Sequence, residues 1–221
     1  MKHVIALALV GALTSAGAPD PAVPEVRVVG STVLSQEMES EAVKATVLVH
    51  GVRRIPGATV VYYSAGLPQG AEPQSWSSFS ATAYDRASKA SGSVGSVRLV
   101  DYSGEKIYAP LARQNKYGSE ELMVSPSVAW PSDQPGGNFY TFFAVLPELP
   151  GDLETVDLMI GHGDIVHDLP IEDGVLEPAT LQEGPLQLGS AWPLIDQTAA
   201  AQSSAPEDSV RPLVTKSQDE Q

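Results

Sequence analysis

Residues 42–66 read AVKATVLVHGVRRIPGATVVYYSAG, and this stretch decides the fold class. Val43, Ala45, Val47 and Val49 fall on one side of an extended chain, and Lys44, Thr46 and His50 fall on the other. A spacing of two is the periodicity of a strand, and it places His50 at a strand end on the solvent face. Thr59 to Tyr63 follows as an unbroken β-branched and aromatic run, the composition of a buried pleated surface, so Tyr62 and Tyr63 are expected to pack. Between the two runs stands Ile55-Pro56-Gly57-Ala58. Proline presets φ at the second position of a turn, and glycine accepts the positive φ that a type II turn needs at the third. The stretch therefore reads as an antiparallel hairpin. A lone hairpin is marginal in water, so this one belongs to a larger sheet.

Working outward, Glu25 to Leu34 alternates as a first strand, and Val97 to Tyr102 with Glu105 to Leu111 forms a second hairpin around Ser103-Gly104. Asn138 to Leu146, NFYTFFAVL, is the most apolar run after the N-terminus and is expected to be a central strand covered on both faces. Thr155 to Ile160 turns Val156, Leu158 and Ile160 inward and Thr155 and Asp157 outward, and Ile165 to Ile171 is a last strand broken by Pro170. Residues 68–96, with a short helix around Ser80 to Ser88, and residues 115–137 read as long irregular excursions. Glu172 to Leu194 reads as a strap whose Leu176, Leu181 and Trp192 pack on the sheet. Strands joined by turn chemistry, with almost no helical periodicity, predict an all-β domain over residues 25–195, an antiparallel β-sandwich. A small β-barrel is the alternative. Residues 196–221 are rich in Ala, Ser, Gln, Asp and Glu and read as a disordered acidic tail.

Met1-Lys2-His3, an apolar run from Val4 to Leu13 and the small residues Thr14 to Ala18 have the order of a secretory signal peptide across residues 1–18, with cleavage after Ala16 preferred. Residues 19–24 are a Pro-rich spacer. No later stretch has the length and apolarity of a membrane span. The formal charge is −14, which repels nucleic acid and anionic lipid and favours cations or basic partners. With no cysteine, an exported fold must be held by its core alone.

The sequence offers few reactive constellations. GHGDIVHD carries His162, Asp164 and His167, imidazole and carboxylate groups of the kind that hold zinc, although no helical HExxH is present. The alternative is a Gly-rich hairpin turn with polar surface residues. There is no Gly-x-Ser-x-Gly elbow and no thiol, so no catalytic residue is assigned and no cofactor is expected. Trp76 and Trp130 stand in irregular segments, where they either stack on sugar rings or anchor their loops to the core.

VHGVRRIPGATVVYYSAG, VRLVDYSGEKIYAPL, ELPGDLETVDLMIGHGDIVHDLPIEDG and LGSAWPLID followed by SVRPLV together resemble the N-terminal region of exported bacterial OmpA-family proteins, over about Glu25 to Val214. The resemblance implies an immunoglobulin-like sandwich at the cell envelope, with protein or glycan partners. It brings no catalytic residue, and the peptidoglycan-binding domain that follows in that family is absent from these residues. The expected function is a non-catalytic, exported interaction module. The alternatives are a secreted hydrolase, metal-dependent through His162, Asp164 and His167 or carboxylate-based, and a carbohydrate-binding module.

Overall fold

The computed structural model describes residues 27–37, 42–67, 97–114, 117–118, 120–125, 139–160, 164–176 and 209–213, and every structural statement below concerns those residues. They form an all-β architecture in which a mixed sheet curls into a half-barrel. Its strands are β1 (Gly30–Glu37), β2 (Ala42–Ile55), β3 (Ala58–Gly66), β4 (Arg98–Asp101), β5 (Lys106–Tyr108), β8 (Phe139–Leu146), β9 (Thr155–Ile160), β10 (Asp164–Asp173) and β11 (Val210–Pro212). The lateral order is β11-β5-β4-β9-β10-β2-β3-β8, with β1 paired to β2 beside that path. A separate ribbon joins β6 (Ala112–Gln114) to β7 (Glu120–Leu122), the second of which lies inside a region expected to be irregular.

The hairpin forms as its residues dictate. Pro56-Gly57 closes the β2–β3 pair, Ile55 faces Ala58, and Gly57 takes a φ of 77°. The sheet here is covered on both sides. Val47, Val49, Val52, Val61, Tyr63 and Ala65 line the concave core. Val60, Tyr62 and Ile55 pack on the outer face with Leu111, Met123, Val145 and Leu176. Leu176 thus packs as expected of the strap, while Leu181 and Trp192 lie outside the described residues.

Several expectations are corrected. The sheet is not wholly antiparallel: β10 pairs β9 antiparallel and then, from Ile171 to Asp173, pairs β2 in parallel. This one strand joins two antiparallel groups and closes the curl. It passes through Pro170 without breaking, because a bulge at His167-Asp168, with Asp168 at φ 54°, re-aims the chain first. The first strand begins at Gly30 rather than Glu25. The apolar β8 is buried on both faces, yet it ends the sheet's lateral order rather than sitting centrally. Apolarity reports what covers a strand's faces, not how many neighbours share its edges. The outer edge of β8 is closed by an irregular segment: the N–H of Val145 donates to the Met123 carbonyl, and that of Ser125 to the Phe143 carbonyl. Residues 209–213, inside the stretch expected to be a disordered tail, contain β11.

Where β2 meets β10, Arg53 stands opposite Glu172 and Arg54 opposite Asp173. Arg53 reaches Glu172 at 2.7 Å and Arg54 reaches Asp173 at 3.0 Å. Arg54 also donates to the carbonyls of Pro150 and Leu153, so it clamps the turn before β9 onto the sheet.

Gly30 sits where β1 crosses β10. A Cβ built there meets Val166 Cγ1 at 2.6 Å and Leu169 Cδ2 at 2.7 Å, both on buried core side chains. Gly30→Ala is therefore expected to destabilise the fold by about 1–3 kcal/mol, as overpacking does, in a urea melt. A cost below about 0.5 kcal/mol would show that β1 is free to lift away from β10.

Candidate functional site

The β9–β10 bulge and the β4–β5 turn meet at a depression of about 370 Å³ lined by Val100 to Ser103, Asp152 to Asp157 and Asp168. Two buried carboxylates build its walls. Asp101 accepts hydrogen bonds at 2.8 Å from the Gly104 N–H and at 2.6 Å from the Ser103 hydroxyl, closing the turn. Asp157 points away from the concave core, as the alternation predicts, yet it is buried, because the bulge sets two residues of β10 against it. One of its oxygens accepts the Asp168 N–H at 2.9 Å, and the other meets His167 Nδ1 at 2.5 Å. The same bonds stabilise the left-handed backbone of Asp168, a conformation that aspartate tolerates better than most residues.

This geometry fixes the chemistry of His167. A carboxylate only accepts, so Nδ1 carries the proton and Nε2 is the lone-pair nitrogen of the neutral ring, whose side chain is 64% exposed. A carboxylate behind an imidazole is the arrangement that orients a general base or a metal ligand. Of the expected metal trio, His167 is held this way, Asp164 pairs with Ile160 at the mouth of the hairpin, and His162 lies outside the described residues. Three residues of strand, roughly 10 Å, separate Asp164 from His167. Among the described residues, no group of three or more His, Cys, Asp or Glu is placed to hold a metal ion. Trp76 and Trp130 also lie outside the described residues.

Asp157→Asn tests the bulge. The amide keeps one acceptor oxygen but cannot serve both the Asp168 N–H and the His167 N–H as the carboxylate does. The expected cost is about 1–3 kcal/mol, that of leaving a partly buried donor unmatched, read by denaturant unfolding at neutral pH.

Two sheet edges complete the candidate surfaces. Among the described residues β1 pairs only with β2, and Val28 and Val33 are exposed beside its other edge. On the opposite flank, β11 lies on β5, in register Val210 with Tyr108, Arg211 with Ile107 and Pro212 with Lys106.

His50, buried, and Arg54, partly buried, are the polar anchors of the central strand, and neither is legible as such in the sequence. His50 is expected at the solvent face, yet it is 1% exposed. It is the extra residue of a bulge between Val49 and Gly51, and its ring bridges Ser64 Oγ at 2.8 Å and the Arg27 carbonyl at 3.1 Å. Opposite parity means solvent only where the second face is bare, and here it is covered. The nearest signal in the sequence is the glycine after His50, a residue common at bulges.

No helix among the described residues is long and apolar enough to cross a membrane. No protein-family model matches the chain, and comparison with curated proteins and with solved structures finds no match.

Proposed function

We propose that this chain is an exported, non-catalytic interaction module of the cell envelope, which engages protein or glycan partners through the edges and turns of its half-barrel. We read the finer architecture as an open relative of the immunoglobulin-like sandwich, two antiparallel groups facing across one core and joined by β10. The observation that carries the proposal is β11: a segment remote in sequence from β5 is accepted as an added strand through main-chain hydrogen bonds. A sheet edge that takes an extended segment from far along the chain is chemically competent to take one from another molecule. The leader-like N-terminus supports export.

The test has two arms. The chain expressed in a bacterium is expected in the extracytoplasmic fraction, shortened by roughly 16–18 residues in keeping with a cleaved leader. Immobilised protein is expected to capture an envelope component, and Val28→Asp with Val33→Asp on the β1 edge, or occlusion of the β5 edge, should abolish that capture. An unprocessed cytoplasmic product, or capture that neither change affects, overturns the proposal.

A second reading, a metal-dependent secreted hydrolase, draws on the Asp157–His167 pair alone. It requires zinc to raise the melting temperature of the wild-type chain and not of His167→Gln; an equal response in both removes it.

A further inference from the structure

Asp173-Gly174, at the end of β10, is the single Asp-Gly dipeptide of the chain. Aspartate followed by glycine is the pair most prone to close on itself, because no side chain shields the glycine nitrogen. That nitrogen attacks Asp173 Cγ, a C–N bond forms, and a carboxyl oxygen leaves as water. Water then opens the cyclic imide at either of its carbonyls. Attack at Cγ restores aspartate, and attack at the main-chain carbonyl routes the backbone through Cβ and Cγ as isoaspartate. The net change is an isomerisation in which one water is lost and one regained.

The structure exposes this pair and then holds its reacting groups apart. The Asp173 side chain is 82% exposed, and a Cβ built on the exposed Gly174 meets nothing within 4 Å, so water reaches both residues. Against this stands Arg54, which is bonded to both reacting groups. Its carbonyl accepts the Gly174 N–H at 2.9 Å, and its guanidinium donates to Asp173 Oδ1 at 3.0 Å. The guanidinium is itself fixed by the Pro150 and Leu153 carbonyls, and the Arg54 side chain is only 15% exposed. Ring closure also requires Asp173 to rotate out of the strand conformation, which its place in the ladder opposite Arg54 resists.

We propose that Asp173 is a site of spontaneous isomerisation, with water as the co-reactant, and that Arg54 restrains it by holding nucleophile and electrophile away from one another. Isoaspartate adds one atom to the main chain between the Ile171–Asp173 ladder and Leu176, which is buried on the outer face. That ladder is the parallel contact through which β10 joins the two antiparallel groups, so the lesion falls on the joint of the half-barrel.

The test incubates the full chain at neutral pH and maps isoaspartate by electron-transfer fragmentation of its peptides. In guanidinium chloride, Asp173 is expected to isomerise faster than any other aspartate of the chain. The folded chain is expected to react there roughly tenfold more slowly, since the reaction then waits on local opening at the end of the ladder. Arg54→Met, with its fold checked by circular dichroism, should raise the folded rate about two- to fivefold, the scale of one partly exposed ion pair. Asp173→Asn is the second variant. It keeps Arg54 and its hold on the Pro150 and Leu153 carbonyls, and its deamidation through the same ring is read as a change in mass. With the charged pair gone, its folded-to-unfolded rate ratio should exceed that of the wild type by a similar factor. Equal rates in the folded and unfolded wild-type chain, a faster aspartate elsewhere, or unchanged protection in whichever variant folds overturns the proposal.

Discussion

Tyr63→Ala is expected to cost about 3–5 kcal/mol of folding free energy, the range for deleting a buried aromatic side chain from a core that cannot collapse around the hole. Tyr63 is 1% exposed, sits midway along β3, and faces Val49 on one neighbouring strand and Phe142 on the other. Its ring stacks on that of Phe142 with centroids 5.4 Å apart, a contact that adds to the area term. Burial also drives its hydroxyl pKa well above the usual tyrosine value. A domain of this size has about 5–15 kcal/mol in total, so one substitution removes a large share and lowers the melting temperature by roughly 6–20 °C. Tyr102→Ala is the control. Tyr102 lies in the β4–β5 turn and is 55% exposed, so its loss should change stability by no more than about 0.5 kcal/mol. Similar costs for the two would mean that the concave cluster is not the core of this fold.

The contrast between those two tyrosines shows what the sequence made legible. Tyr63 stands in a β-branched run, and runs of that composition report burial; the hairpin, its Pro-Gly turn, the β4–β5 hairpin and β9 were all readable from local pattern. Face-to-face relations were readable too, since alternation carries them. Lateral relations were not. Nothing in NFYTFFAVL says that β8 ends the lateral order, and nothing in IVHDLPIED says that β10 changes partner from β9 to β2, because pairing depends on chain closure over long separations. The bulges are the second gap. His50 and the His167-Asp168 pair each insert one residue into a ladder, shifting which side chains turn inward, and a strict period of two cannot anticipate that. The candidate site suffered accordingly: His167 was readable as a chemically capable residue, but its partner Asp157 was assigned to the surface. β11 was missed because SVRPL is too short and too polar to stand out from an acidic stretch.

His50 should make the fold acid-sensitive in a specific window. The Arg27 carbonyl can only accept, so Nδ1 of the neutral ring carries the proton and Nε2 accepts from the Ser64 hydroxyl. Burial disfavours the imidazolium and lowers the pKa below 6.5, against a smaller upward pull from the Arg27 carbonyl. Above about pH 6.5 the ring is neutral in both folded and unfolded chains, and His50 adds no pH dependence. As the pH falls below that value the unfolded chain takes up a proton that the folded one refuses. Stability then drops, by at most about 1.4 kcal/mol per pH unit, until the pH passes the lowered folded value and the loss levels off. His50→Gln removes this titration, so its stability should vary less between pH 7.5 and 5 than that of the wild type, the difference isolating His50 from other titrating groups. At pH 7.5 the truncation His50→Ala should itself cost about 2–4 kcal/mol, since it opens a cavity and strips Ser64 and the Arg27 carbonyl of a buried partner. Parallel pH profiles for wild type and His50→Gln would show that the ring protonates as freely in the fold as in water. The bridge it makes between β3 and the segment leading into β1 would then not depend on its charge.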